Sequence, residues 1–324
     1  MVTVALAGAS TGFGLIMLRT FLHLNSKHDI ILLSRNPQPS LAAKGVDVRP
    51  VDYTNHAQLV ATLHDVHTLL SVIGGSPSAL RDAQLALIEA AKEAGVKRFA
   101  PSEYAGVGYE GIDLYQPKAE VWAVVQGSGL EFTRFECGLF MSILATGTPK
   151  DLTEVGEREG AKSGEEEALA GLRPWNYVIN MRAGTVDLAG DGSARIAWTE
   201  MRDVAAFVYC AIDLPTWPAE LGMRGDVKSF RELVAIVEKV QKRNFMVKEG
   251  DLEALKLKAK SGEPGKRFYN QTRVALAKGW GLVPDDLNEA FPDVQPTTCE
   301  EFVEKWWSGV ELGEASWGED QSFM

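Results

Sequence analysis

Cysteine is scarce in this 324-residue chain, with only Cys137, Cys210 and Cys299. Three is an odd number, the three lie far apart, and their neighbours are mostly apolar. That predicts reduced thiols rather than a disulfide framework, and their spacing offers no metal site. Positive charge is also short, 33 Lys and Arg against 44 Asp and Glu, a formal net charge of −11. No local run of Lys or Arg makes an exception, so the surface repels a phosphate backbone and nucleic acid is not an expected partner. No stretch approaches the roughly 18 uninterrupted apolar residues that span a bilayer, so no membrane is expected. The opening MVTVALAG has neither a basic lead nor a long apolar run; it reads as a strand, not a signal peptide, and the expected address is cytoplasmic. Internal repeats and low-complexity segments are missing as well.

What is present describes a globular chain, with hydrophobic residues at 45% and charged residues at 24%. Through residue 140, short β-branched or aliphatic runs alternate with longer amphipathic stretches, the signature of βαβ units and a parallel sheet. Strands are expected at Val2 to Ala7, Ile30 to Ser34, Val46 to Pro50, Thr68 to Val72, Arg98 to Pro101 and Phe132 to Phe135. Helices are expected at Leu15 to Leu24, Ala57 to Leu63, Leu80 to Ala94 and Ala119 to Gly127, with C-caps at Gly95 and Gly129. The fold class is therefore α/β, a Rossmann doubly wound parallel sheet with a second, smaller, mainly helical domain. The boundaries read as 1–150 for the first domain and 151–324 for the second, with 176–217 returning to the first and completing the large sheet. In that return, a turn at Gly190 to Gly192 joins two strands, the second at Ala194 to Trp198, and Asp203 caps a following helix. The polar, acidic stretch Pro149 to Gly171 reads as an insertion or lid with a solvated face at Glu165 to Glu167. Later helices are expected at Ser229 to Val240, Asp251 to Lys258 and Thr298 to Trp307, and a loosely ordered tail from Gly309.

Chemistry first appears where strand one runs into Gly8-Ala9-Ser10-Thr11-Gly12-Phe13-Gly14 and then a helix. Gly8 permits the tight turn, Gly12 lets backbone approach a pyrophosphate, and Gly14 allows close helix packing. The free N–H groups of the turn, Phe13 included, and the helix dipole attract phosphates, while Ser10 and Thr11 add hydroxyl donors. Strand two ends in Ser34-Arg35-Asn36, where a site for NAD would carry an acidic residue. Arg35 instead suits the 2′-phosphate of NADPH, because its planar fork pairs with phosphate and stacks on adenine. Asp52, after strand three, is placed to accept from the adenine amino group or to cap the next turn. Strand four ends in Ser71-Val72-Ile73-Gly74-Gly75, and the backbone at Ile73 and Gly74 is expected beside the nicotinamide ribose.

The stretch Val96-Lys97-Arg98-Phe99-Ala100-Pro101-Ser102-Glu103-Tyr104 resembles the strand-end signature of the NmrA-like and isoflavone-reductase-like proteins, a group of atypical short-chain dehydrogenases. The glycine turn, Arg35, Lys118 and the Gly190-Asp191-Gly192 to Asp203-Val204-Ala205 segment follow in that family's order, so the resemblance spans about residues 2 to 240. It implies an NADP(H)-binding domain, a small helical domain, and a substrate cleft between them, with Ser102 and Lys118 near the cofactor and Lys118 in a catalytic role. Three departures stand out. The turn is spaced Gly-x-x-x-Gly-x-Gly, not the group's common Gly-x-x-Gly-x-x-Gly. Tyr115 and Lys118 form Tyr-x-x-Lys, one residue short of the pair in ordinary short-chain dehydrogenases. The usual Glu-Phe-Gly is here Glu103-Tyr104-Ala105.

Two classes of function follow. One is an NADPH-dependent reductase of a small aromatic or conjugated carbonyl or imine compound of secondary metabolism, with Lys118, Tyr115 and Glu103 as catalytic candidates. Phe140, Met141, Trp175, Trp198 and Trp280 are candidate cleft walls. The other binds NADP(H) without redox turnover, as a redox-sensing regulator or as a cyclase or isomerase using Glu103, Glu110, Asp113 or Glu136 as the acid. An open pocket beside Lys118 favours catalysis; a filled one favours the regulator. A small-molecule substrate and a monomer or homodimer are the partners expected, with no metal.

Overall fold

The computed structural model describes residues 1–24, 27–151 and 163–318. Six parallel strands form one sheet in the order β3-β2-β1-β4-β5-β6: β1 (Thr3–Ala7), β2 (Asp29–Ser34), β3 (Asp47–Pro50), β4 (Thr68–Ser71), β5 (Arg98–Ala100) and β6 (Glu131–Phe132). β1 and β2 are buried almost throughout, which is why they read as continuous aliphatic runs and not as alternation. The strand order reverses between β1 and β4, and the loops leaving those two strands border the crevice where such sheets bind ligands.

Helices cover both faces. On one lie α3 (His56–Leu63), α4 (Pro77–Ala94) and α5 (Gln116–Gln126); on the other is α1 (Gly12–Leu24), while α2 (Pro39–Ala42) is a short connector. Gly95 ends α4 in the left-handed region at φ 80°, as a C-cap glycine should. Gly129 does not do the same for α5: Gly127 is the cap, at φ −91°, and Gly129 turns the chain two residues later.

The expected strand at Phe132 to Phe135 is two strands. The chain bends at Thr133, and β7 (Arg134–Glu136) leaves the large sheet to pair with β12 (Glu220–Gly222). The return segment is likewise a correction, because its strands do not complete the large sheet. β9 (Ile179–Asn180) and β10 (Thr185–Ala189) join β14 (Met246–Gly250), while β11 (Arg195–Thr199) sits between β8 (Leu139–Phe140) and β13 (Asp226–Ser229). Only the helix returns: α7 (Met201–Ala211) buries Val204, Phe207 and Val208 in the same cluster as Met17, Leu18 and Phe21 of α1. Arg98 of β5 fastens the end of that helix, donating to the carbonyls of Ile212, Leu214 and Pro215 at 2.9–3.0 Å. Glu200, not Asp203, caps α7; Asp203 accepts from the Thr297 backbone N–H.

The remaining helices are α6 (Gly164–Leu169), α8 (Phe230–Gln241), α9 (Leu252–Lys258), α10 (Pro264–Ala277), α11 (Asp286–Ala290) and α12 (Cys299–Trp307). Ser229 and Thr298 start α8 and α12 with reciprocal capping boxes, the local reason those boundaries were legible. α10 had no counterpart in the periodicity. Part of the acidic insertion and the last residues of the tail lie outside the described residues. No described helix is long and apolar enough to cross a membrane.

Candidate active site

Gly8 and Gly14 show how tightly the glycine turn is built. Gly8 has φ 87°, and a Cβ there would stand 2.7 Å from the Ile73 Cα; one on Gly14 would stand 2.5 Å from the Gly8 carbonyl oxygen. These two glycines lock turn, helix and strand end together. Gly12, at φ 59°, faces instead the carbonyl of Ala170, 3.3 Å from where its Cβ would be, and Gly171 in turn lies against the Gly12 Cα. The segment after α6 therefore crosses directly over the turn, and between them opens a cavity of about 650 Å³ lined by Thr11, Gly12, Leu15, Arg19 and Leu172 among others. Gly74 and Gly75 face open space. Gly12 and Thr11 border this cavity at the N-terminus of α1, and no Cβ at Gly12 fills it, so these residues fit the pyrophosphate of a dinucleotide.

At the other end of the crevice Arg35 is exposed, with no hydrogen bond or ion pair to any described residue. Its charge reaches the Tyr53 phenol, whose pKa burial pushes up to about 12 and Arg35 draws down. Asp52 caps a turn through Oδ1, accepting from Thr54 N at 2.9 Å and its hydroxyl at 2.7 Å.

Phe13 connects the turn to a second opening, its ring 5.0 Å from those of Tyr104 and Phe140. Those residues belong to a cleft of about 670 Å³ walled by Tyr115, Trp175, Tyr177, Phe268 and Trp280. Of the expected walls, Phe140, Trp175 and Trp280 are there. Met141 and Trp198 are corrections, fully buried in the small-domain core with no surface to offer a ligand. Tyr104, at the end of the Pro101-Ser102-Glu103-Tyr104 stretch, holds a left-handed φ of 35°, and the segment stores strain there.

Lys118 sits in the first turn of α5, and its ammonium donates to the carbonyls of Ser102 at 2.8 Å and Glu103 at 2.7 Å. Burial lowers its pKa, opposed by the charge of Glu103. Lys118 is not on the cleft wall. Tyr115 is, and its ring centroid lies 5.3 Å from the Lys118 ammonium, so the tyrosine stands between lysine and cleft. Burial raises the Tyr115 pKa well above the usual phenol range. Glu103 is 6% exposed, and its Oε1 has no hydrogen-bond partner; desolvation raises its pKa, against the pull of Lys118.

The other carboxylates are elsewhere. Glu110 and Asp113 are exposed, Asp113 in an ion pair with Arg267. Glu136 is buried beside Arg134 at 3.0 Å, with a pKa raised by desolvation to about 7. Among the described residues, no carboxylate lines the cleft. Arg173, Tyr177 and Phe268, which do, carried no motif. The cluster Arg173-Pro174-Trp175-Asn176-Tyr177 following an acidic, glycine-rich stretch was the available signal.

The model of the NmrA-like family matches residues 2–303. An oxidoreductase from Botryotinia fuckeliana is 29% identical over 314 residues, covering 92% of this chain and 97% of its own. A phenylcoumaran benzylic ether reductase from Pinus taeda is 25% identical over 287 residues, covering 82% of each. The binary complex of leucoanthocyanidin reductase with NADPH from Vitis vinifera superposes with a TM-score of 0.72 at 18% identity, covering 94% of this chain and 99% of that one.

Proposed function

From the premise that this chain belongs to the NmrA-like family, we propose that it is an NADPH-dependent reductase of a small aromatic or conjugated carbonyl or imine compound of secondary metabolism. The observation that carries the reading is the junction of the glycine cradle, through Phe13, with an open aromatic cleft backed by Tyr115 and Lys118. The names of its relatives, an oxidoreductase and a benzylic ether reductase, support reduction as the reaction type.

Gly12, Phe13 and Gly14 would hold the pyrophosphate with their N–H groups, Arg35 the 2′-phosphate, and Ile73, Gly74 and Ser102 the nicotinamide half. When bound, the cofactor supplies a hydride for the electrophilic carbon. The protein must then deliver a proton to the heteroatom. Tyr115, its ionisation suppressed by burial, serves as a neutral donor that orients the carbonyl or imine. Lys118 stands behind it with a lowered pKa, and two of the three N–H bonds of an ammonium are committed to carbonyls. The third is available to hold or pass a proton. The hydride and proton together saturate the C=O or C=N bond.

The open cleft weighs against a regulator that only reports cofactor state. Its lack of a lining carboxylate among the described residues weighs against an acid-driven cyclase. Loss of reduced-nicotinamide absorbance on adding aryl aldehydes, enones and cyclic imines tests the proposal. Tight NADPH binding without oxidation by any of them would overturn it.

A further inference from the structure

Arg173 lies on the lining of the aromatic cleft, and among the described residues it has neither a hydrogen bond nor an ion pair. Arg173 is exposed, so water satisfies its guanidinium in the free protein and the group is available to a ligand that enters the cleft. No Asp or Glu on the lining neutralises it. Its sequence neighbours Leu172 and Pro174 border both the cleft and the cavity over the glycine turn, whereas Arg173 borders only the cleft. An anion for it is thus expected on the substrate side.

The rest of the cleft is walled by large rings. Trp175 and Phe268 stack at 5.9 Å, and Tyr115 lies 6.0 Å from Trp280. The hydroxyls of Tyr104 and Tyr177 are sealed behind this lining, Tyr177 beside the Thr272 hydroxyl, so they offer a ligand no polar contact. The Thr272 hydroxyl donates its proton to the carbonyls of Phe268 and Tyr269 at 3.1 Å, which leaves its oxygen to accept from Tyr177.

We propose that the substrate is an aromatic carboxylate, its ring system held among Trp175, Phe268 and Trp280 and its carboxylate paired with Arg173. The inference rests on reading this cleft as the substrate site. A guanidinium fork matches the two carboxylate oxygens, which a neutral ester cannot reproduce.

Calorimetric titration of 2-naphthoate and methyl 2-naphthoate into the full chain saturated with NADP+ tests this. The acid should bind about tenfold more tightly than the ester, as expected for one charge-assisted pair near solvent. Arg173→Gln should erase that preference by weakening the acid alone, Arg173→Lys should restore part of it, and NADP+ affinity should hold in both. Equal affinity for acid and ester in the unaltered protein, no binding of either, or equal weakening of both in Arg173→Gln would overturn the proposal. A parallel loss of NADP+ affinity would also overturn it, placing Arg173 on the cofactor. Because the readout is binding, a failure to oxidise NADPH would strike the reductase reading and leave this one standing.

Discussion

Replacing Lys118 by Met keeps the length of the side chain and removes its charge, but beside the proposed proton relay the lysine has a structural duty. Its ammonium ties α5 to the end of β5 through two short bonds to the Ser102 and Glu103 carbonyls. Charged hydrogen bonds of this kind contribute about 1.5–3 kcal/mol each, and the cost of burying the ammonium offsets part of that. A net loss of about 2 kcal/mol follows, a few degrees in Tm for a chain of this size. If Lys118 also relays the proton, kcat should fall by roughly two to four decades, far more than partial unfolding explains, while NADPH affinity changes little. The pH profile separates the duties. Burial lowers the Lys118 pKa, so the unaltered enzyme should lose activity on the alkaline side below the ordinary lysine range, and that limb should vanish in Lys118→Met. The assay is steady-state NADPH oxidation across pH, beside thermal melts of the same samples. A lowered Tm with near-normal kcat would refute the relay and leave Lys118 a structural tie.

Arg35→Ala should weaken NADPH by about one to two decades, the value of a charge-assisted pair to phosphate, and leave NADH unchanged; equal losses for both would show that Arg35 does not select the cofactor. Gly12→Val puts a β-branched side chain at φ 59° and against the Ala170 carbonyl, so dinucleotide binding should be lost while the melt drops only a few degrees, and retained micromolar affinity in a fluorescence titration would exclude the turn as the phosphate site. Glu136 has its pKa raised in the folded protein, so its contribution to stability is full below the ordinary 4.5 and lost as pH rises through about 7. Glu136→Gln should accordingly flatten the decline of Tm across that window, and an unchanged slope would mean that the buried pair with Arg134 does not titrate there.

The nucleotide-binding half was legible because its signals are local. A parallel strand covered on both faces must be apolar along its whole length, and a turn that feeds a strand into a helix at close range favours glycine at Gly8 for its left-handed φ and at Gly14 for its approach to the Gly8 carbonyl, both local demands. The bend at Thr133 and the sheets of the return segment were not legible, since a two- to five-residue strand carries the same pattern whichever partner it joins. Sequence also could not rank tryptophans: Trp198 and Trp175 are the same residue, but one is sealed behind Phe230 while the other borders the cleft.

By itself, then, the sequence determined the α/β class, the cradle after β1, the Arg35 at the end of β2 and the membership that Pro101 to Tyr104 announces. The tertiary structure alone decided that Tyr115 stands between Lys118 and the cleft, that Glu103 is buried, and that Arg173 borders the aromatic cleft. The reason is physical. A turn or a cap is settled by neighbours within a few residues, whereas a cleft is made by side chains from segments more than a hundred residues apart, and which of them meet depends on how two packed cores settle against each other.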